Sequence, residues 1–318
     1  MYKFGQLAKT GQLQLGITFL FINLFSYRLY IFRLIKHGTN SLCSDDNNWI
    51  YNAILLKENC MKAYLDLLQH ILDNGEQRDD RTNTGTISSF GHQLSFDLEE
   101  GFPAVTTKSL AWKGVVSELI WFLEGSSDER RLAEIRFGKN REELTDLDKY
   151  STIWTDNADN QGKHLGYENS ELKKELGPVY GVQWRDWDGI DQIKDLLNNL
   201  KNNPDSRRHI LSAWNVGKIN KMALPPCHVM SQFYISNGTI SCHMYQRSAD
   251  MFLGVPFNIA SYSLLLSIFA EILNLKPKKF VHSFGDAHIY LNSVEQVKEQ
   301  IKREPYNPPK LILPTLNS

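Results

Sequence analysis

Cysteine is scarce in this chain: Cys43, Cys60, Cys227 and Cys242 are the four in 318 residues, and no two stand at the spacing of a metal clip. That scarcity excludes a disulfide-stapled scaffold, argues against structural zinc and points to a reducing, cytoplasmic setting. Excess charge is also lacking. Thirty-five basic and 36 acidic side chains leave a formal net charge of −1, so there is no long-range field to gather nucleic acid, and any partner must be held by local chemistry. Internal repeats and low-complexity tracts are absent too. Charge is missing altogether from Thr10 to Tyr27, a stretch that includes the apolar run Ile17 to Phe25. A spanning helix needs ~20 mainly apolar residues. Here Gln12, Gln14 and Asn23 interrupt the run, Arg28 closes it, and no small-residue cleavage site follows. Residues 1–60 are therefore read as a disordered or dispensable N-terminal extension, and membrane association is not expected.

What is present begins at Met61. Apolar residues at Met61, Tyr64, Leu65, Leu68, Ile71 and Leu72, followed by Asn74-Gly75, spell an amphipathic helix with its stop signal. Trp112, Val115, Val116, Leu119, Ile120 and Leu123 predict a second helix, and Ile190, Ile193, Leu196, Leu197 and Leu200 a third that ends before Pro204. The β-prone runs His228–Ser236 and Thr239–Gln246 flank Asn237-Gly238, the strongest short-range hairpin signal. Ile259 to Leu273 reads as a buried helix. The charged, Asn-rich stretch from Ser126 to Leu176 reads as a surface insertion with short helices. The fold class is α/β (α+β): a large mixed, mostly antiparallel sheet covered by helices.

The densest chemistry lies at Ala223-Leu-Pro-Pro-Cys-His228, just before the hairpin. A cysteine becomes a nucleophile where cations stabilise its thiolate, and Arg207, Arg208 and Arg247 are available for that if the strands lie side by side. Arginine also binds phosphate through a fixed two-pronged fork, so several converging on one point build a phosphomonoester site.

Several segments stand in the order and spacing of thymidylate synthases: Asp205-Ser-Arg-Arg-His209, Ser212-Ala-Trp-Asn215, Ala223-Leu-Pro-Pro-Cys-His228, Tyr245-Gln-Arg-Ser248 and Phe252-Leu-Gly-Val-Pro-Phe-Asn-Ile-Ala-Ser-Tyr262. So do Asp80-Arg-Thr82, Gly101 to Lys108, Glu118-Leu-Ile-Trp-Phe122, Leu176 to Trp184 and Asp286-Ala-His-Ile-Tyr290. The chain thus resembles that family from Met61 to about Leu313, and residues 61–318 are taken as its catalytic domain.

The resemblance implies reductive methylation of dUMP to dTMP, with 5,10-methylenetetrahydrofolate as one-carbon and hydride donor, dihydrofolate as product and no metal. It casts Cys227 as the nucleophile at uracil C6, with Glu118, Tyr180 and His228 serving proton movement. It gives Arg81, Arg247 and Ser248, with Arg207 and Arg208 donated by the other subunit of a homodimer, to the phosphate. Gln246 joins the substrate set, and His288 and Tyr290 take the deoxyribose 3′-hydroxyl. Asn258 would read uracil through O4 and N3–H, where a carboxylate would favour cytosine as in dCMP hydroxymethylases. Outside this context Asn258 reads as a helix N-cap. Trp154, Asp250 and Gly254 fall at folate-contacting positions.

Asn83 departs from the family's first loop glycine, although asparagine tolerates left-handed backbone. The family also continues past the match at Lys310 to Leu313, so the domain is expected to be C-terminally incomplete. Two rival readings therefore stand beside the enzyme: an impaired nucleotide-binding or subunit-pairing remnant, and a dUMP hydroxymethylase in which water captures the one-carbon unit.

Overall fold

The computed structural model describes residues 60–79 and 83–313, together with the backbone of β1 (Leu20–Leu24) and β2 (Tyr27–Ile31), which pair antiparallel. The remainder of the N-terminal extension, Arg81 and residues 314–318 lie outside the described residues, and so do the expectations that fall on them.

Six strands form the main sheet: β3 (Glu76–Arg78), β4 (Thr86–Asp97), β5 (Ile210–Ser212), β6 (His228–Ser236), β7 (Thr239–Asp250) and β8 (Lys276–Tyr290). Their order is β3-β4-β8-β7-β6-β5, and every neighbouring pair is antiparallel except β7 and β8. The sheet is thus mixed and mostly antiparallel, as the sequence indicates. Along β7, Ile240, Cys242, Met244 and Gln246 turn inward while His243 and Tyr245 are exposed, the period-two pattern of a half-covered strand. Asn237 and Gly238 both have positive φ, +50° and +71°, and they close the β6–β7 hairpin.

The helices are α1 (Cys60–Asn74), α2 (Trp112–Glu124), α3 (Glu129–Phe137), α4 (Tyr180–Arg185), α5 (Gln192–Asn202), α6 (Gly254–Leu273) and α7 (Val294–Ile301), with a few shorter turns. Among the described residues, α6 is the one helix long and apolar enough to cross a bilayer, yet 78% of its apolar window is buried inside the protein. Its composition reflects the core. It also begins earlier than periodicity suggests, because Pro256 is tolerated in a first turn. Asn258 consequently lies inside the helix, and the N-cap reading is wrong; Asp250 Oδ1 instead accepts the N–H groups of Phe252 and Leu253 as the chain enters α6. Helix α5 starts at Gln192, with Asp191 as its N-cap, leaving Ile190 outside and exposed.

The surface reading of Ser126 to Leu176 holds only in part. The stretch does carry short helices, but Glu129 and Arg130 are both 0% exposed, and Leu132, Leu144, Trp154 and Leu176 join the core. Periodicity arguments assume that charge faces water, and here two opposite charges bury each other. Asn83 takes φ = +55°, the left-handed backbone expected of it.

Tyr64 of α1 ties the fold to the end of β7: its buried hydroxyl donates to the Met251 carbonyl at 2.7 Å. Tyr64→Phe is expected to cost ~1–2 kcal/mol, because it leaves a buried carbonyl unpaired. Thermal or urea unfolding of the two proteins measures this.

Candidate functional site

The end of the sheet where β6 begins and where β7 and β8 finish gathers the residues singled out in the sequence. In register, His228 faces Gln246, Ser248 faces Asp286 and Asp250 faces His288. Gly285 permits the close approach of these strands, since an added Cβ would stand 2.8 Å from Tyr245 Oη and 2.9 Å from the Arg247 carbonyl oxygen.

Cys227 is half-buried at the mouth of β6. The hydroxyl oxygen of Tyr180, on α4, accepts its backbone N–H at 2.6 Å and that of His228 at 3.3 Å. Arg247 is clamped across the same segment: Nε donates to the Pro226 carbonyl at 2.9 Å, Nη2 to the Pro225 carbonyl at 2.8 Å, and Nη2 stands 3.9 Å from Cys227 Sγ. Its guanidinium also lies over the Trp214 ring. A cation held rigidly beside a sulfur is the electrostatic partner that a thiolate nucleophile needs. Cys242, by contrast, is fully buried on β7, and that burial pushes its thiol far up.

Glu118 sits in the middle of α2. Burial raises its carboxyl from the ordinary range to about 7, against the opposing pull of a 2.7 Å hydrogen bond from Trp154 Nε1 and the positive charge of Arg136. The Trp154 ring leans on Tyr180, and Tyr180 leans on His228. Burial drives His228 down to about 4, despite a side-chain hydrogen bond with Asn258, so the imidazole is neutral near pH 7. Asn258 and Asp250 flank Gly254. A line of contacts thus runs from Glu118 through Trp154, Tyr180 and His228 to Asn258.

On the other flank, His288 Nδ1 meets Asp286 Oδ1 at 3.0 Å, and the Tyr290 ring packs edge-on against His288. Asp286 also accepts from Ser88 at 2.8 Å and Arg78 at 3.1 Å, and the His288 contact foremost holds its carboxyl below the usual range. Gln246 is buried, paired with His282 through Oε1 and donating to the Ser248 carbonyl.

Two expectations fare differently. Of the three arginines considered for Cys227, only Arg247 reaches it within the chain; Arg207 and Arg208 are exposed, with no ion pair to either among the described residues. The family resemblance gives Asp286 no role of its own, yet the sequence carries the signal: residues i and i+2 of a strand share a face, which places its carboxylate beside His288.

The thymidylate synthase family model matches residues 62–318. A probable thymidylate synthase of Escherichia phage T5 is 51% identical over 255 residues, covering 80% of this chain and 88% of that protein. The crystal structure of thymidylate synthase from T4 phage superposes with a TM-score of 0.69 at 48% identity, covering 77% of this chain and 82% of that one.

A buried acid with a raised pKa weakens the fold as pH rises, because the native state holds its proton while the unfolded chain, with Glu near 4.5, has lost it. Glu118→Gln should therefore stabilise the protein increasingly from about pH 4.5 to about 7. The gain should level off at up to about 3 kcal/mol above that window. Denaturant titrations of both proteins at pH 4.5 and pH 8 test the sign.

Proposed function

The chain belongs to the thymidylate synthase family and reductively methylates dUMP to dTMP, and we propose that it does so with Cys227 as the nucleophile and Arg247 as the cation serving both sulfur and phosphate. The clamped guanidinium beside Cys227 Sγ carries this reading. In the proposed course the thiolate adds to C6 of uracil, and the displaced π electrons make C5 a carbon nucleophile. C5 bonds to the one-carbon unit, the hydrogen it carried leaves as a proton, and once hydride reaches the new carbon the departure of the sulfur restores the ring.

Glu118, poised near neutrality, trades protons with the base through Tyr180 and neutral His228. His228 also orients the Asn258 amide, whose donor and acceptor suit O4 and N3–H of uracil. Asp286 fixes His288, and His288 with Tyr290 receives the 3′-hydroxyl, while Ser248, Gln246 and Arg81 complete the nucleotide contacts.

The family's co-substrate 5,10-methylenetetrahydrofolate supplies the methylene carbon and a hydride. The donor set suits such a molecule: the flat Trp154 indole borders Glu118, and Asp250 keeps Oδ2 clear of the backbone bonds that its Oδ1 accepts, so a carboxylate oxygen remains for pterin N–H groups. The side-chain-free edge of Gly254 gives access beside it.

A homodimer joined through the uncovered sheet face fits the exposed Phe90, Tyr234 and Tyr245, which stand out from β4, β6 and β7 away from the helices. In that arrangement Arg207 and Arg208 are offered to the neighbour's phosphate site. A cytoplasmic setting suits Cys227 and Cys242, which form no disulfide among the described residues.

Cys227→Ser should reduce turnover by roughly three orders of magnitude or more while dUMP binding changes little, since an alkoxide is far harder to form than a thiolate. Wild type incubated with 5-fluoro-dUMP and the folate should carry the label on Cys227, as peptide mass spectrometry reads; a label on Cys242 contradicts the assignment. Donation across the interface has its own check. Mixing inactive Cys227→Ser and Arg207→Ala chains should restore up to about a quarter of wild-type activity, because half of the mixed pairs' sites unite both intact groups. No recovery after verified subunit exchange contradicts it.

A further inference from the structure

Glu129 and Arg130 are the most deeply buried charged pair in the described chain, and nothing proposed so far uses them. Arg130 Nε donates to Glu129 Oε2 at 2.7 Å and Nη2 to Oε1 at 2.8 Å, with Nη2 also reaching the Tyr150 carbonyl at 3.2 Å. Nη1 has no acceptor among the described residues. A buried ion pair is weak support for stability, because apolar residues of the same volume commonly do as well or better, and an unpaired buried N–H makes this one costlier still.

What the pair holds is more specific. The other two donors to Glu129 Oε1 are the hydroxyls of Thr152 and Thr155, both at 2.7 Å. Those hydroxyls in turn accept backbone N–H groups of the same turn, Thr155 Oγ1 from Thr152 at 2.8 Å and Thr152 Oγ1 from Trp154 at 3.2 Å. Between the two threonines stands Trp154, whose Nε1 donates to Glu118 Oε1 at 2.7 Å. The indole packs against Trp121, Phe122 and Tyr180, contacts that retain the ring but do not by themselves fix the direction of its N–H.

We propose that Glu129, braced by Arg130, is a positioning residue: through Thr152 and Thr155 it sets the turn that aims the Trp154 N–H at Glu118. The proposal rests on the reading of Glu118 as the site's proton-handling group. A donor on Oε1 favours the carboxylate, so a displaced indole leaves Glu118 harder to ionise. The other groups that act on Glu118 are Arg136, which shares α3 with Glu129, and Tyr262 on α6.

The experiment measures tritium release from dUMP labelled at C5 as a function of pH, with melting temperature recorded alongside. Glu118→Gln should abolish the limb with a midpoint about 7. Trp154→Phe and Thr155→Val should each move that limb up by roughly half a unit to one unit, since each removes or misdirects one hydrogen bond to the charged form. Thr155→Ser, which keeps the hydroxyl, should leave it in place. If Thr155→Val does not fold, Thr152→Val and Thr152→Ser take the same two arms. A limb that survives Glu118→Gln overturns the reading of Glu118 and the proposal with it. A limb that moves in Trp154→Phe but stays in Thr155→Val, with only the melting temperature falling, leaves Glu118's role standing and overturns the positioning role of Glu129.

Discussion

The parallel pairing of β7 with β8 is the constraint on which the site depends. Antiparallel neighbours can be joined by a two-residue turn, but parallel ones need a crossover, and α6 supplies it in the run between Asp250 and Lys276. Running the two strands in one direction puts both of their final segments at the same end of the sheet. Arg247 and Asp250 are thereby brought beside Asp286 and His288, and the antiparallel β6 adds Cys227 and His228 from its start. The first turns of α6 carry Gly254 and Asn258 to the same place. One long buried helix, held by its apolar contacts with the sheet, therefore places groups from three strands and its own N-terminal turns.

That burial also sets the electrostatics. Glu118 and His228 are shifted in opposite directions by one cause, removal from water, which penalises the charged form of each. The result is an acid whose pKa lies close to neutrality and, across Trp154 and Tyr180, an imidazole without charge. Specific hydrogen bonds then trim these shifts, from Trp154 to Glu118 and between Asn258 and His228. Where the protein buries charges that take no part in the chemistry, at Glu129 and Arg130, the donors they gather belong to the turn that carries Trp154. This buried pair is thereby tied to the site.

Much of this was legible in the amino-acid order because the relevant signals are local. Asn237-Gly238 dictates a tight hairpin through backbone that other residues resist, and the apolar spacing of Met61 to Leu72 and of Trp112 to Leu123 dictates helices with one covered face. The motifs around Cys227, Arg247, Asn258 and His288 carry the family resemblance, and the chemistry proposed for them follows from that resemblance. Asn258 reads as a cap outside its family context for a local reason as well, since the preceding Pro-Phe resembles a helix start when the residues upstream are ignored.

Tertiary structure alone decided which arginine meets Cys227. Arg207, Arg208 and Arg247 are equivalent by residue type, yet only Arg247 is carried to Cys227, because β6 and β7 are hairpin partners while Arg207 and Arg208 precede the short strand β5 on the far edge. The inward turn of Glu129 and Arg130 has no periodic signature, for burial of charge depends on a partner rather than on a pattern. The state of Glu118 depends on how much water the folded core excludes. Sequence by itself determined the elements and the repertoire of reactive groups, since those follow from backbone sterics and side-chain chemistry. Distance and desolvation come into being only when segments far apart in the chain pack together.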